Sequence, residues 1–541
     1  MPPPMPQQAA SRLTLAQLLF LAMNAAAVLA AAGQVLIDIG VVNLGCSALV
    51  LASVVATMQY LERSRAFEDT PVSSLAVLGL CVTTQWASLT AQSLAGTPLV
   101  EGLKLPVTTF AVLCGVQALA LASHWIYRRF QPLQQVRSAL SDAVAAPLGL
   151  YRTPSPAAVW ALSLFGAAAI AAGGAEAGDA GGKLFQAFGL FAWLPAMIPI
   201  LYARYGSAYC RIGTQVPLLV GYALLLVAIG LARNGRSLMI VGPMQLALVL
   251  LIYGLRDHRA ATSKVVALLL AGALGAGLVT FGARDLATAM VVVRDQRESL
   301  APLDMLQETL AALGDRGKLE LFRDTEKGMS RFQAYDEIYL DNPLIARFSE
   351  TKFHDNMLAI LEQLNAEERA SIAELTGIKL LTFLPQPLLD RLGTGIDKER
   401  YEFSVGDHYR SLTESEEFLG GYAVGSIWAD LLAIFDWWSP LVVVLICFGV
   451  YLMLDVLSRT DRDGALLLSP LAVCIAWSVF LYGLSADSLA ARLAFFLRDQ
   501  PQRFLLYAGA AALLHWILPW RPSTPEAPPA PLPASSAGTS R

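Results

Sequence analysis

Apolar stretches of about twenty residues recur along this chain, and their length is the feature that most constrains its fold. A helix needs about twenty residues to cross the roughly 30 Å hydrocarbon core of a bilayer. The chain is 55% apolar and only 15% charged, whereas a soluble domain is about a quarter charged. We therefore predict an all-α polytopic membrane protein of about twelve transmembrane helices. The predicted spans lie near residues 13–32, 35–60, 73–93, 106–127, 155–174, 185–203, 213–231, 237–254, 264–283, 438–457, 466–485 and 503–520.

The short loops predict an orientation, because clusters of arginine and lysine fall in alternate loops. The positive-inside rule assigns such loops to the cytoplasm. Both termini are then cytoplasmic, and the long stretch between the ninth and tenth spans lies on the other side. The clusters are Arg63 and Arg65; Arg128, Arg129, Arg137 and Arg152; Arg204 and Arg211; Arg256, Arg259 and Lys264; and Arg459 and Arg462.

The spans divide the chain into four predicted regions. Residues 1–284 form an N-terminal transmembrane region of about nine helices, and residues 426–521 form a C-terminal one of about three. Residues 285–425 between them form one large, helix-rich loop domain outside the cytoplasm. Residues 522–541 are rich in Pro, Ala and Ser, which predicts a disordered tail.

Helix signals are clear within the 285–425 stretch. The capping box Asn365-Ala-Glu-Glu368 opens a short helix that Gly377 could close, and Asp355 to Leu364 reads as an amphipathic helix before it. The segment around Gly420 and Gly421 is typical of a hinge that re-enters the membrane.

Composition excludes several classes of function. The formal net charge of −4 argues against nucleic acid as a partner. All six cysteines fall within or beside apolar spans, so no disulfide framework or cysteine metal site is expected. No His, Asp and Glu spacing is typical of a metal site, and we predict neither a metal nor another cofactor.

Arginines on the outer side break the charge pattern. Arg233 and Arg236 lie in the predicted outer turn between the seventh and eighth spans, and Arg284 lies at the outer end of the ninth. Cations kept there need an anionic partner, which is either a carboxylate of the loop domain or a ligand. One guanidinium group can bind two phosphate oxygens at once, so a lipid pyrophosphate is the candidate ligand. Further cations lie around the last outer loop, at Arg492, Arg498 and Arg503.

Two histidines, His354 and His408, are predicted to lie outside the cytoplasm. Histidine is the usual general base near neutral pH and suits deprotonation of a sugar hydroxyl. A solvated loop histidine with no catalytic role is the alternative at each position. His408, beside Asp407 and Arg410, is ranked slightly above His354 because it lies nearer to the re-entry at Gly420.

Three short stretches resemble one family, the Wzy-type polysaccharide polymerases and the related O-antigen ligases. Residues 232–238 (ARNGRSL) are similar to the family's Arg/Ser-Gly-Arg turn before a helix. Residues 354–361 (HDNMLAIL) are similar to a His-Asn pair ahead of an apolar helix, although Asp355 separates the two residues. Residues 420–426 (GGYAVGS) and 430–440 (DLLAIFDWWSP) resemble the return to the membrane, with Asp436 where the family has glycine.

The resemblance implies a GT-C-like glycosyltransferase in a bacterial inner membrane, with its loop domain in the periplasm. It implies polymerisation of undecaprenyl-pyrophosphate-linked repeat units into exopolysaccharide or O-antigen by metal-independent, inverting transfer. One histidine, His408 or His354, would be the base. Membrane lipid, a flippase and a chain-length regulator are the other expected partners. The residues expected to bind pyrophosphate are Arg233, Arg236, Arg284 and Arg410.

Other functions stay open at this stage. An O-antigen ligase would pass the glycan to a different acceptor, and a glycolipid transporter or flippase would form no bond. A loop of roughly 140 residues is unusual for a carrier, which tends instead to place ionisable residues at mid-membrane. A third reading treats the loop as a docking platform for synthesis partners. Glycosyltransferases that use lipid monophosphates typically carry an acidic pair in the first outer loop, and residues 32–34 contain no acid.

Overall fold

A computed structural model of the chain describes residues 14–518 and leaves internal gaps. The gaps are residues 174–179, 257–281, 283, 297–299, 331–334, 337–338, 341, 343–344, 415 and 462–463. Most of the predicted ninth span and the predicted disordered tail therefore lie outside the described residues.

The described residues form helices almost throughout, with one short hairpin. In the N-terminal region these are α1 (Leu15–Ile37), α2 (Val41–Arg63), α3 (Ala66–Asp69), α4 (Pro71–Cys81), α5 (Ala87–Ala95), α6 (Pro106–Arg129), α7 (Gln131–Leu140), α8 (Pro156–Ala172), α9 (Ala180–Ala187), α10 (Ile198–Tyr205), α11 (Ile212–Ala232) and α12 (Arg236–Arg256). The middle segment holds α13 (Arg284–Val292), α14 (Pro302–Gly314), α15 (Arg316–Ser330), α16 (Thr351–Gln363), α17 (Ala366–Leu381), α18 (Gln386–Arg391) and α19 (Val405–Thr413).

The C-terminal region holds α20 (Ile427–Phe435), α21 (Ser439–Asp455), the antiparallel strands β1 (Ser458–Thr460) and β2 (Leu466–Leu468), α22 (Pro470–Tyr482), α23 (Leu489–Ala494) and α24 (Gln500–Ile517). The 3₁₀ turns are Phe188–Met197, Gly206–Ala208, Arg294–Gln296, Ile345–Phe348, Lys398–Tyr401, Glu416–Phe418 and Asp436–Trp438. The π-helical turns are Val82–Trp86, Ser141–Ala145 and Phe495–Asp499.

Among the described residues, eight helices are long and apolar enough to cross a membrane, consistent with an all-α polytopic membrane protein. They are Leu15–Ile37, Val41–Arg63, Pro71–Ala95, Pro106–Arg129, Leu184–Ala208, Ile212–Ala232, Leu238–Arg256 and Ile427–Asp455. Two predicted spans, 155–174 and 466–485, correspond to the shorter apolar helices α8 and α22. The latter prediction began too early, because Leu466–Leu468 pair with β1.

The helix Pro71–Ala95 lies at the centre of the bundle. It is the most deeply buried of the eight candidate spans. It meets α22 backbone to backbone, since a Cβ at Gly79 would lie 1.9 Å from the Phe480 carbonyl oxygen. At its N-terminal end the Asp455 carboxylate accepts hydrogen bonds from the Ser73 backbone N–H (3.0 Å) and hydroxyl (2.6 Å). Helices α4, α21 and α22 are therefore tied into one unit.

The π-helical turn Val82–Trp86 interrupts this central helix and receives a segment from the middle of the chain. The Thr83 carbonyl accepts from the Glu350 backbone N–H at 2.9 Å, and the Thr84 carbonyl accepts from the Thr351 hydroxyl at 2.9 Å. A π-turn leaves carbonyls out of the regular helical ladder. The start of α16 is thereby inserted into the helix bundle.

Two helix predictions in the middle segment need correction at their ends. Helix α16 begins at Thr351 rather than at Asp355, so His354 lies within the helix instead of ahead of it. The capping box at Asn365 is confirmed, because its side chain accepts from the Glu368 N–H and the Glu368 side chain accepts in return. The helix runs on to Leu381, past Gly377, because a single exposed glycine weakens a helix without ending it.

The middle segment is docked on the membrane helices through Asp355. This buried carboxylate accepts the backbone N–H groups of Lys104 (2.8 Å) and Leu105 (2.9 Å) and the hydroxyl of Thr109 (3.0 Å) at the start of α6. A carboxylate is favourable there because the N-terminal N–H groups of a helix have no partners within it. Asp355 therefore fixes α16 against α6.

Candidate functional site

A cavity of about 410 Å³ lies between the start of α16, the re-entry segment before α20, and the turn that joins α22 to α23. Its lining comes from three places in the sequence that are far apart, and its polar side chains come from the first and the last of them. Its lining residues are Glu350, Phe353, His354, Val424, Gly425, Tyr482, Ser485, Ala486, Asp487, Ala491, Arg492 and Phe495. This cavity is the candidate active site.

Glu350 is a buried acid in the wall of this cavity. Its Oε2 accepts a hydrogen bond of 2.5 Å from the Ser485 hydroxyl, and its backbone is held by Thr83. Burial raises the pKa of Glu350 to about 7, against the opposing effects of the Ser485 hydrogen bond and the Arg492 charge. Near neutral pH the carboxyl can therefore either accept or release a proton.

His354 lies one helical turn after Glu350 and lines the same cavity. Its Nδ1 shares a hydrogen bond of 2.8 Å with the Ser426 hydroxyl. Its Nε2 is buried and has no hydrogen-bond partner among the described residues. Burial lowers the pKa of His354 to about 3, so the imidazole is neutral at pH 7. A buried polar atom without a partner calls for an explanation, and a ligand in the cavity would supply one.

Arg492 supplies a buried positive charge and is only 3% exposed. Its guanidinium donates to the carbonyls of Tyr482 (2.9 Å), Gly483 (3.1 Å) and Ser485 (2.5 Å) at the end of α22. Burial lowers the pKa of Arg492 to about 10, which leaves the group charged at pH 7. Carbonyl groups stabilise this charge without cancelling it, so Arg492 keeps its positive charge in the wall of the cavity.

The re-entry segment can line the cavity because it has no side chain at Gly425. A Cβ at this position would lie 2.2 Å from the Asp487 carbonyl oxygen. The Ile427 N–H donates to the Ala486 carbonyl at 3.1 Å. The segment preceding α20 therefore packs directly on the turn that carries Asp487.

A second, larger cavity adjoins the first, since Tyr482 and Phe495 line both. Its volume is about 1600 Å³. Its polar rim includes Asp397, Glu402 and Arg503. Its apolar wall comes from candidate membrane helices and from the shorter apolar helices α8 and α22, and it includes Ile170, Leu190, Trp193, Leu238, Ile475 and Trp477. A groove of this kind suits a molecule with a polar head and a long apolar tail.

The region of His408 is built differently. His408 lies in α19, is half-buried, and has its Nε2 at 3.0 Å from the Ser371 hydroxyl. Burial lowers the pKa of His408 as well. Arg410 forms an ion pair of 3.0 Å with Glu414 on the same helix, and its guanidinium lies 3.9 Å above the Phe418 ring. Neither residue lines either cavity, and both are engaged by neighbours in the loop segment.

Asp407, beside His408, has a structural role. Its buried carboxylate accepts the backbone N–H groups of Ser404 (3.0 Å), Tyr422 (2.9 Å) and Ala423 (2.8 Å). It completes the capping box of α19 and holds the chain just ahead of Gly425. The segment around His408 is therefore helical, and it positions the candidate site without entering it.

The predicted phosphate-binding arginines lie elsewhere. The guanidinium of Arg233 packs against Gly173, and this side chain has no hydrogen bond or ion pair with the described residues. Its neighbour Asn234 donates to the Met290 carbonyl at 2.9 Å, which places the turn beside α13, the helix that contains Arg284. The Nε of Arg284 is buried without a partner among the described residues. The side chain of Arg236 lies outside the described part of the structure.

Arg233 and the start of α12 lie close to the large cavity. The Gln186 side chain, which lines that cavity, donates to the carbonyl of Gly173, on which Arg233 packs. Leu238, in the first turn of α12, also lines it. Arg233 and Arg284 do not line the smaller cavity. The structure thus brings His354 together with Arg492 and separates it from the arginines that we ranked first.

Glu350 is the residue that the sequence analysis missed. A glutamate in a polar stretch looks like a solvated acid, and nothing local shows its burial. The one usable signal is its spacing of four residues from His354, which puts both side chains on one face if the helix begins early enough.

No protein-family model, curated protein or solved structure matches this chain. Among the described residues, no group of three or more His, Cys, Asp and Glu side chains could hold a metal ion.

Proposed function

We propose that this protein is a membrane glycosyltransferase that polymerises oligosaccharide units linked to undecaprenyl pyrophosphate. The reaction takes place in the cavity of Glu350, His354 and Arg492, on the side of the membrane where the middle segment lies. The transfer needs no metal and inverts the anomeric centre. The protein resides in a bacterial inner membrane, with the middle segment in the periplasm.

One observation supports this function above the others: an acid, an imidazole with a free nitrogen, and a buried cation share a cavity that adjoins a large apolar groove. A lipid-linked sugar has a tail for the groove and a charged leaving group for the cation. Electrostatic stabilisation of such a leaving group is commonly the largest contribution to catalysis. Arg233, close to the groove through Gly173 and Gln186, would attract the pyrophosphate of an entering lipid together with Arg236 and Arg284.

The test is glycosidic bond formation by purified protein in lipid vesicles supplied with lipid-linked oligosaccharide. New, longer lipid-linked glycans support the proposal. Movement of the substrate across the bilayer without new bonds would identify a carrier. If the protein neither forms bonds nor moves the substrate, a scaffold role is indicated. Transfer only to a chemically different acceptor would identify a ligase.

A pair of substitutions tests the groove. Ser478 is half-buried in its wall, so Ser478→Trp should fill the space for the lipid tail and reduce product at least about tenfold. The control is Leu445→Trp, because Leu445 is 58% exposed and does not line the groove. Equal activity of both variants would contradict the assignment of the groove.

A further inference from the structure

The hydrogen bonds around Ser426 decide which nitrogen of His354 carries the proton. The Ser426 hydroxyl oxygen accepts from the Ala429 backbone N–H at 3.3 Å and lies 2.8 Å from His354 Nδ1. Ser426 is fully buried. A hydroxyl has one proton to donate. Among the described residues the only acceptor for that proton is His354 Nδ1.

The neutral imidazole then has its own proton on Nε2. In the other tautomer, Nδ1 would donate to Ser426, and both the buried hydroxyl proton and the Nε2 lone pair would lack a partner among the described residues. The first tautomer leaves only the Nε2–H group, which lines the cavity, so it has fewer unpaired buried groups and is favoured. His354 therefore presents an N–H group, with no lone pair, to the cavity.

A group that presents an N–H cannot take a proton from a hydroxyl, so the base must be another residue. Glu350 lines the same cavity one helical turn away, with Ser485 orienting its carboxyl. The other ionisable residues lining the cavity are Arg492 from α23, Asp487 from the turn before it, and Tyr482 at the end of α22. Arg492 donates to three backbone carbonyls, and the Asp487 residue is exposed to solvent.

We infer that Glu350 is the general base and that His354 is a neutral hydrogen-bond donor to the departing pyrophosphate. The inference rests on the proposed function. The acceptor hydroxyl gives its proton to the Glu350 carboxylate as its oxygen bonds to the anomeric carbon. The bond from that carbon to the phosphate oxygen breaks, and the electron pair stays on the oxygen. His354 Nε2–H and the Arg492 charge stabilise the oxygen.

This assignment reverses the role that the sequence suggested for a histidine. It agrees with burial, which raises the pKa of Glu350 to about 7 and lowers that of His354 to about 3. A base is most effective when its pKa lies near the working pH, and an imidazole donor must stay neutral to keep one tautomer.

The test compares Glu350→Gln, His354→Gln and His354→Ala in the bond-forming assay across pH 5.5–8.5. Wild-type turnover should rise with pH and level off above about 7. Glu350→Gln should lose at least about 100-fold and show no such rise. Gln at 354 keeps an N–H donor, so His354→Gln should retain at least about tenfold more activity than His354→Ala and keep the wild-type pH profile. Glu362→Gln, an exposed acid on the same helix, is the control.

The opposite pattern would overturn the assignment. If His354 is the base, His354→Gln will be as inactive as His354→Ala, and the pH dependence will vanish in both. Binding of inorganic pyrophosphate to purified protein gives a second readout that does not depend on turnover. Binding should weaken in His354→Ala, persist in His354→Gln and strengthen in Glu350→Gln, which removes a negative charge. If wild-type protein forms no glycosidic bonds but the variants bind pyrophosphate in this order, the proposed function is rejected and the donor role of His354 is kept.

Discussion

The starts of α16 and α19 are two versions of the same local design with different outcomes. Each places a histidine in the first turns of a helix, beside a buried aspartate and within reach of a serine hydroxyl. At His408, Nε2 is the nitrogen that meets serine, and the residue lies outside both cavities. At His354, Nδ1 meets serine, and Nε2 lines a cavity without a partner among the described residues. The same residue types thus give a structural joint in one place and a candidate site in the other.

The largest expected difference between the two regions is in activity. His354→Ala should lower glycan synthesis at least about 100-fold, because it removes a donor to the leaving group. His408→Ala should stay within about threefold of wild type. Each substitution removes one hydrogen bond to serine, so both should lose about 1 kcal/mol of stability. Measuring turnover and thermal unfolding on the same detergent preparations separates the two effects. Loss of activity in His408→Ala at normal stability would restore His408 as the candidate base.

The aspartates beside the two histidines should both be structural. Replacing either one should have the next largest effect, a loss of stability. Asp355→Ala strands two backbone N–H groups and a hydroxyl at the start of α6, and Asp407→Ala strands three N–H groups around the re-entry segment. Each unpaired buried donor costs about 1–3 kcal/mol, so both variants should lose at least about 3 kcal/mol. Asn at either position keeps one acceptor oxygen and should lose less. A stable Asp407→Ala protein would show that the re-entry segment is held by other contacts.

The pH dependence of stability should separate Glu350 from His354. The folded-state pKa of Glu350 is raised from 4.5 to about 7, so its stabilisation is present below pH 4.5 and lost as the pH rises through 7. The loss is at most about 3 kcal/mol, and Glu350→Gln should abolish it. His354 acts in the opposite direction, because its lowered pKa makes stability fall as the pH drops below 6.5. Unfolding midpoints of wild type, Glu350→Gln and His354→Gln at pH 5 and pH 8 test this. A Glu350→Gln protein with the wild-type slope would contradict the burial of this acid.

The smallest effect is expected at the joint between α20 and α21, where Asp436 has φ +45 and ψ −122. Glycine adopts this conformation without strain, whereas in other residues it costs about 1 kcal/mol or more. Asp436→Gly should therefore raise the unfolding midpoint, and Asp436→Ala should not, since alanine has the same backbone restriction. A stabilised alanine variant would point to the aspartate charge instead of the backbone.

Much of the architecture follows from local sequence. Apolar runs predict candidate spans because each span must satisfy the same length requirement on its own. The predicted cap at Asn365 involves residues only three positions apart. It is confirmed because no distant contact is needed to form it.

The candidate site depends on contacts that no local pattern encodes. His354 was one of two candidates, and the choice depends on which nitrogen finds a partner. Glu350 is held in the bundle by the Thr83 carbonyl and the Ser485 hydroxyl, both of which are far away in the sequence. Arg492 was noted as an outer cation, but its three carbonyl partners follow from the path of the chain after α22.

The π-turn at Val82–Trp86 bears on how freely parts of this protein can be exchanged. The Thr351 hydroxyl reaches the Thr84 carbonyl from 267 positions later in the chain. A π-turn corresponds to one extra residue in a helix, so deleting a single residue there would rebuild a continuous ladder and withdraw those oxygens. A chimera that takes its middle segment from another protein would need that extra residue in the recipient helix as well. Insertions in this membrane helix and changes near position 350 should accordingly be inherited together.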